Sequence, residues 1–346
     1  MKNSSTTEEL AYLARVQSQI DQFADQPIHD LPEIFHVWSH NSILPGLKAV
    51  YGVNTINDFY LEAVREASDG YTRPARVLSI GCGDGTVEIE LAQSLLAAGM
   101  RDFRFDAIDL SPVLIERFAE KVGELGLQAN VFPSVQDMNA INVPQTYDVI
   151  LANHCLHHIV DLEKVFDFIN TALSDTGIFA TSDMIGRNGH MRWPEVEAVL
   201  QVIWPLLSEK QRFHHQLLRA DLERFQDHDC STEGFEGIRA QDILHLLLNR
   251  FNPYKFLAFG GFADVLVDRG YGHGFNPDNA WDREFILAAA RLNDLMLDSG
   301  MIKPTSMIAY FTKDDRGSSY YRDRTALSSL RHPYETPAWV RHVEAS

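Results

Sequence analysis

The sequence predicts an α/β fold with a mostly parallel sheet that helices cover on both faces. Residues 76–90 read as a short apolar strand, a glycine-rich turn and the start of a helix. From residue 75 to residue 183, apolar runs alternate with amphipathic helical segments. These segments lie at about 86–99, 112–126 and 161–174.

The turn after the first strand carries glycines at positions 81, 83 and 85. Because glycine has no Cβ atom, a ligand can approach the backbone there, and the helix start at Thr86 offers free N–H groups. A strand, a glycine turn and a helix in this order indicate a nucleoside-cofactor site. The spacing is G-x-G-x-G, which argues against a nicotinamide oxidoreductase with its G-x-G-x-x-G turn.

The following strands end in polar residues. Asp109 ends the second strand, about 24 residues after the glycines, where an acid suits ribose hydroxyls. Ser111 and Pro112 then predict a helix start as N-cap and first helical residue. The third strand ends at Val131-Phe132, and Asp137-Met138 follows it shortly after. The fourth strand covers residues 147–152 and leads directly into Asn153-His154.

This order of motifs over residues 75–183 resembles the class I S-adenosylmethionine (SAM) dependent methyltransferases. The resemblance implies a Rossmann-like fold with a seven-stranded, mostly parallel sheet, and SAM as the cofactor. The cofactor site that it implies has Gly81, Cys82, Gly83, Asp84 and Gly85 around the methionine part, Asp109 and Leu110 at the ribose, Asp137 and Met138 beside the adenine, and Asn153 and His154 under the reactive methyl.

One position departs from the family pattern. Many members carry an acid two residues before the first glycine, where this chain has Ser79. The ammonium group of SAM therefore needs another partner. Asp84 or Glu88, both near the start of the following helix, could serve, although the helix dipole also favours a carboxylate there.

Residues 1–70, before the core, are predicted to be largely helical, with Thr6 or Thr7 capping the first helix. They are rich in aromatic residues, among them Trp38 and Tyr60. In the family an added N-terminal segment often folds over the cofactor as a lid, and plain packing against the sheet edge is the alternative.

The core is expected to span residues 71–183, with a fifth strand at 177–182. Residues 184–251 are too long for a simple connection and predict a helical cap, with helices around 194–206, 208–226 and 239–250. The core then resumes over residues 252–312, with a sixth strand at 254–259, a helix at 279–297 and an antiparallel seventh strand at 306–311. Residues 313–346 form a polar tail that is either flexible or docked on a partner.

Three more stretches, residues 183–190, 236–244 and 302–305, resemble a bacterial subgroup of these enzymes that acts on small molecules. This resemblance extends to about residue 312. It implies methyl transfer to a small-molecule acceptor, in specialised (secondary) metabolism.

Methyl transfer from SAM requires the nucleophile, methyl and sulfur to be held in line, and a base only if the nucleophile arrives protonated. The candidate catalytic residues are Asn153, His154 and Asp183. The candidate substrate-binding residues are Trp38, His157, Arg187, His190, Trp193 and Arg239. No metal is expected, because the histidines near residue 157 lack the cysteines of a typical structural zinc site.

Two other uses of SAM stay open. Some enzymes of similar architecture cyclise SAM to azetidine-2-carboxylate and release methylthioadenosine, a reaction that needs no acceptor. A non-catalytic SAM-binding regulator is the alternative from another class of protein. Incubation with SAM alone separates methyl transfer from cyclisation, because only cyclisation yields methylthioadenosine without an acceptor.

Composition excludes several kinds of partner. A net charge of −18 argues against a nucleic-acid groove and against docking on anionic membranes. The three cysteines show no C-x-x-C spacing and the N-terminus lacks an apolar leader, so a reducing cytoplasm is expected. A small-molecule substrate and a possible homodimer are the partners that we expect.

Overall fold

The computed structural model describes residues 10–12, 14–20, 31–70, 72–141, 145–232, 234–332, 336–337 and 339–340. The expected helix cap at Thr6 or Thr7 lies outside these residues. The helices are α1 (residues 10–12 and 14–20), α2 (Glu33–Ser42), α3 (Leu44–Tyr51), α4 (Ile56–Ser68), α5 (Thr86–Ala97), α6 (Pro112–Glu124), α7 (Leu162–Ala172), α8 (Pro194–Ile203), α9 (Ala240–Leu248) and α10 (Ala280–Asp298).

The strands are β1 (Ala75–Ile80), β2 (Phe103–Asp109), β3 (Val131–Val135), β4 (Tyr147–Asn153), β5 (Leu173–Met184), β6 (Phe213–His214), β7 (Arg219–Ala220), β8 (Asn252–Phe259), β9 (Ser306–Thr312) and β10 (Ser319–Tyr320). The main sheet has the order β10-β8-β9-β5-β4-β1-β2-β3. Strands β1 to β5 pair in parallel, and β9 runs antiparallel between β5 and β8. The α/β, mostly parallel fold and its antiparallel seventh strand are therefore confirmed. The expected strand number is corrected from seven to eight, because β10 pairs with the edge of β8.

Both faces of the sheet are buried, which explains why its strands read as continuous apolar runs. Val77 and Val149 pack on one face with α4, α5 and α6, and Leu78 and Ile150 pack on the other with α7 and α9. The chain moves outward from β1 to β2 and β3 on one side and from β4 to β5 on the other. The carboxyl ends of β1 and β4 therefore form a topological switch point, where α/β folds bind their ligands.

Helices α2 to α4 belong to the core. Phe59 and Tyr60 are fully buried, and Trp38 is only 3% exposed. The Trp38 ring packs against Phe35 and Phe259. This burial favours plain packing for α2 to α4, and the N-terminal lid stays a prediction.

The cap contains α8 and α9 but no helix at 208–226, so that expectation was wrong. Residues 213–214 and 219–220 pair instead as the β6–β7 ribbon, with Leu218 in a left-handed conformation (φ 49°) in the turn. The indole N–H of Trp204 donates to the Asp221 carbonyl just after the ribbon (2.6 Å). Tertiary contacts of this kind override a weak local helical pattern.

The residues after β9 dock on their own chain. The Arg324 guanidinium pairs with Asp294 and Asp298 of α10, and Arg331 pairs with the buried Glu195 of α8 (2.7 Å). In the described part of the chain, no helix is both long and apolar enough to cross a membrane.

Candidate functional site

The glycine turn lies at the carboxyl end of β1 and is packed tightly against its neighbours. Gly81 has φ 66°, and a Cβ atom on it would lie 2.5 Å from Cβ of Cys155, which follows β4. Gly85 has φ 73°, and its Cβ would lie 2.1 Å from the ring of Phe118 on α6. Residues other than glycine rarely adopt such positive φ angles. Glycine is therefore required at both positions to bring the turn this close to Cys155 and to α6.

Asp109, at the end of β2, holds the turn from the other side. Its carboxylate accepts the backbone N–H groups of Gly83 and Ser111, each at 2.9 Å. Burial raises the pKa of Asp109, and these N–H groups oppose the rise. The predicted ribose acid is thus fixed beside the glycine turn.

The two candidates for the ammonium group differ in their surroundings. Asp84 accepts hydrogen bonds from Lys121 (2.7 Å) and Thr86 (2.8 Å); burial would raise its pKa, but these donors outweigh burial and hold the pKa below the ordinary value. Glu88, in the first turn of α5, is 2% exposed, and its Oε1 accepts the hydroxyl of Ser79 (2.6 Å). Burial raises the pKa of Glu88 to about 7.

Asp137 and Met138 follow β3 on the same edge of the sheet. The Asp137 carboxylate accepts the hydroxyl of Tyr12 on α1 (2.7 Å). The amide of Gln19, also on α1, lies 3.1 Å from Nδ1 of His158 and accepts the backbone N–H of Phe235 in the cap (2.8 Å). Helix α1 therefore bridges the predicted adenine edge and the cap.

The end of β4 presents Asn153 and His154. The Asn153 side chain accepts the hydroxyl of the buried Tyr60 (3.1 Å), which sets its orientation. His154 is exposed and has a left-handed backbone (φ 54°), and its N–H donates to the Ser182 carbonyl of β5 (2.8 Å). Such a conformation costs about 1–3 kcal/mol in a non-glycine residue and is commonest at functional sites.

Asp183, near the end of β5, is a fully enclosed anion. Its carboxylate accepts backbone N–H groups of Cys155 and Leu156 and the Nδ1–H of His157 (2.6 Å). Burial alone would raise the pKa of Asp183, but His157 and these N–H groups hold it below the ordinary value. Burial alone would likewise lower the pKa of His157, but Asp183 and Glu236 raise it to about 10, so His157 is protonated at neutral pH.

Glu236 extends this hydrogen-bonded group into the cap. Its Oε1 lies 3.5 Å from Nε2 of His157 and accepts the Nε2–H of His190 (2.6 Å). His190 also has a left-handed backbone (φ 55°), and its Nδ1 is buried without a partner among the described residues. We call Asp183, His157, Glu236 and His190 the His–carboxylate array. It continues to His154, whose ring centroid lies 5.5 Å from that of His157.

His157, His190 and Glu236 have ligand atoms close enough to be considered for a metal. Two ligands of one zinc ion, each bonded at about 2.0 Å in tetrahedral geometry, lie about 3.3 Å apart. The 2.6 Å between His190 Nε2 and Glu236 Oε1 is the length of a hydrogen bond instead. The expectation that no metal binds here stays a prediction.

Four other predicted substrate residues have structural partners. Trp38 lies in the core described above, and Trp193 is buried beneath the Arg331 guanidinium, 4.7 Å from its ring centroid. Arg239 pairs with Glu163 and Asp242, and Arg187 donates to the Arg192 carbonyl (3.1 Å). The structure thus joins His157 and His190 in the array and gives these four residues partners outside it.

Sequence reasoning missed the role of Glu236 and the contact of Tyr60. In the sequence, Glu236 belongs to a stretch that shows only a family resemblance, and Tyr60 is one of many aromatic residues. Both residues contact side chains at or after the ends of strands that are distant from them in sequence. The spacing of residues along the chain does not show such contacts.

The chain is similar in sequence to known methyltransferases. Residues 78–179 match the family described as a methyltransferase domain. A malonyl-[acyl-carrier protein] O-methyltransferase of Ilyobacter polytropus is 25% identical over 205 residues, which cover 55% of this chain and 72% of that protein. A malonyl-[acyl-carrier protein] O-methyltransferase of Acetivibrio thermocellus is 28% identical over 168 residues, 48% of this chain and 55% of that protein. Among solved structures, the O-methyltransferase from a trans-AT PKS multienzyme of Brevibacillus brevis, in complex with S-adenosyl-L-homocysteine, is 13% identical, with 93% of both chains covered and a TM-score of 0.45.

Proposed function

We propose that this chain, whose residues 78–179 match the methyltransferase domain family, uses SAM to methylate an oxygen atom of a small-molecule acceptor in specialised metabolism. The observation that carries this proposal is the His–carboxylate array beside the end of β4. A buried base is needed there only if the acceptor arrives protonated, as a hydroxyl does.

We place SAM along the carboxyl edge of β1 to β4. The segments that would hold it are Gly81–Gly85 at the methionine part, Asp109 and Leu110 at the ribose, Asp137 and Met138 at the adenine, and Asn153 and His154 beneath the methyl. The switch point between β1 and β4 supports this placement. When bound, SAM supplies an electrophilic methyl group and leaves as S-adenosylhomocysteine.

The base in this proposal is His190. Its Nε2–H is directed at Glu236, which fixes the tautomer and leaves the lone pair of Nδ1 free to accept the acceptor's proton. Glu236 then stabilises the imidazolium that forms, as the carboxylate of a hydrolase triad does. The acceptor oxygen, once deprotonated, would attack the methyl group that SAM supplies, and the carbon–sulfur electron pair would remain on sulfur.

His157 and Asp183 position the array. The protonated His157 lies between the carboxylates of Asp183 and Glu236. Its positive charge offsets the repulsion between these two buried anions. With two carboxylates and one imidazolium, these three groups leave one negative charge near the expected sulfonium. Such a charge favours a cationic cofactor in a site of low dielectric constant.

The cap would cover the acceptor. His190 and Glu236 both lie within residues 184–251, and α1 joins that region to Asp137. We therefore propose residues 71–183 with 252–312 as the cofactor-binding core, 184–251 as the acceptor cap, and α1 as the moving part of the lid. The relatives named as O-methyltransferases support oxygen as the attacked atom.

The first test measures products with and without an acceptor. The protein is incubated with SAM alone and with SAM plus a panel of hydroxyl and carboxyl acceptors, including thioesters, and analysed by mass spectrometry. S-adenosylhomocysteine that forms only with an acceptor supports methyl transfer. Methylthioadenosine from SAM alone would support the cyclisation to azetidine-2-carboxylate and overturn the proposal.

The second test addresses the base. H190A and E236Q should lower kcat by about 10²–10⁴ with little change in the Kd of S-adenosylhomocysteine, because neither residue is placed on the cofactor. H245A is the matched control, since His245 is exposed on the cap helix α9. A kcat for H190A within threefold of the H245A value would remove His190 from the role of base.

A further inference from the structure

We propose that Glu88, held by Ser79, is the carboxylate that receives the ammonium group of SAM, and that this contact couples cofactor binding to the release of a proton. The inference rests on the placement of SAM at the glycine turn. It explains how the chain functions without an acid at position 79.

The geometry leaves one carboxylate oxygen without a function. Glu88 is 2% exposed, and its Oε1 accepts the Ser79 hydroxyl. Its Oε2 is the one buried carboxylate oxygen without a hydrogen-bond partner among the described residues. Leaving a buried acceptor without a partner is unfavourable, so a ligand that supplies an N–H donor there would be stabilised.

The competing carboxylates beside the turn are already engaged. Asp84 is paired with Lys121 and bonded to Thr86. Both oxygens of Asp109 accept backbone N–H groups, and the proposed cofactor placement assigns their remaining lone pairs to the ribose hydroxyls. Glu88 is thus the acid near Gly81–Gly85 that has an oxygen with neither a partner among the described residues nor another role in the proposed site.

Ser79 and Glu88 together occupy the place of the missing acid. Ser79 lies on β1, paired with Ala107 of β2 and Leu151 of β4, and is 2% exposed. The Ser79 side chain is short, and its hydroxyl donates to the carboxylate of Glu88 on α5. The carboxylate that many family members carry at the position of Ser79 on the strand is supplied in this chain by Glu88 on the helix, at the same end of β1.

The charges around Glu88 favour its neutral form before the cofactor binds. The groups that face it are the carboxylates of Asp84 and Asp109, the thiols of Cys82 and Cys155, and the hydroxyl of Tyr60. Burial and the two acids raise the pKa of Glu88 to about 7, against the hydrogen bonds from the Ser79 hydroxyl and from the backbone N–H of Glu88 itself. An ammonium group beside it would favour the ionised form, so binding below pH 7 expels a proton. Cofactor affinity should fall up to tenfold per pH unit below about 7 and level off above it.

The test measures the affinity of S-adenosylhomocysteine, which keeps the ammonium group, by calorimetry from pH 5.5 to 8.5. Proton release is read from the difference in binding enthalpy between phosphate and Tris buffers. The proteins are wild type, E88Q, D109A and the double variant S79D/E88Q, which moves the carboxylate back to β1. E90Q is the matched control, since Glu90 is exposed on the same helix.

We expect E88Q to bind at least tenfold more weakly at pH 8 and to lose the pH dependence, E90Q to match wild type, and S79D/E88Q to recover most of the affinity. Wild-type affinity in a folded E88Q, with D109A impaired, would overturn the role of Glu88 and leave the cofactor site standing. Wild-type affinity in both E88Q and D109A would overturn the cofactor site itself. If E88Q fails to fold, a folded S79D/E88Q that still binds weakly is the overturning result.

Discussion

Glu88 should make the free protein less stable as the pH rises, independently of any ligand. Its pKa is raised by burial from an ordinary 4.5 to about 7 in the folded chain. Between these values the folded state binds more protons than the unfolded state, so the stability that this residue contributes is present at low pH and is lost as the pH rises through 7. The full shift corresponds to about 3 kcal/mol, most of which falls between pH 5 and pH 8.

E88Q removes this titration and keeps an oxygen to accept the Ser79 hydroxyl. The assay is urea unfolding of wild type, E88Q and E90Q at pH 5, 6, 7 and 8, and the quantity compared is the difference in unfolding free energy from wild type. That difference should change by about 2–3 kcal/mol across the series for E88Q, in favour of E88Q at pH 8, and stay constant for E90Q. A constant difference for E88Q would show that Glu88 is ionised in the free protein throughout, and would refute the reasoning from burial.

D109A should weaken S-adenosylhomocysteine binding by about 1.5–3 kcal/mol for each charge-assisted hydrogen bond lost; calorimetry with an unchanged Kd would contradict the ribose assignment. Chelation with EDTA should leave methyl transfer unchanged, because His190 and Glu236 are at hydrogen-bond distance; activity that disappears and returns with zinc would contradict this. W38A should lower the free energy of unfolding by about 3–5 kcal/mol, since Trp38 is 3% exposed, and a variant as stable as wild type would contradict its place in the core. Hydrogen exchange in residues 14–20 should slow when S-adenosylhomocysteine binds, more than in α2 to α4, and equal slowing in both would argue against α1 as the lid.

The sequence by itself determined the core of the fold and the order of the strand-end residues. Glycines at 81, 83 and 85, the strand before them and the helix after them depend on contacts within about ten residues. The acid at the end of β2 and the helix start at Ser111 are equally local, and the structure shows both. Backbone preferences and hydrophobic period act over such short distances, so they can be read without knowing the tertiary packing.

Only the tertiary structure decided which polar groups meet. His190 and Glu236 are 46 residues apart in sequence and His157 and Asp183 are 26 apart, yet they form one hydrogen-bonded array. Sequence reasoning left Asp84 and Glu88 equal as partners for an ammonium group, and the structure separated them, because Lys121 reaches Asp84 from α6 while Oε2 of Glu88 has no donor. The same packing converted the expected helix at 208–226 into the β6–β7 ribbon. Which donor meets which acceptor depends on how distant elements are stacked and on the cost of leaving buried polar atoms unpaired, and local sequence patterns carry no information about either.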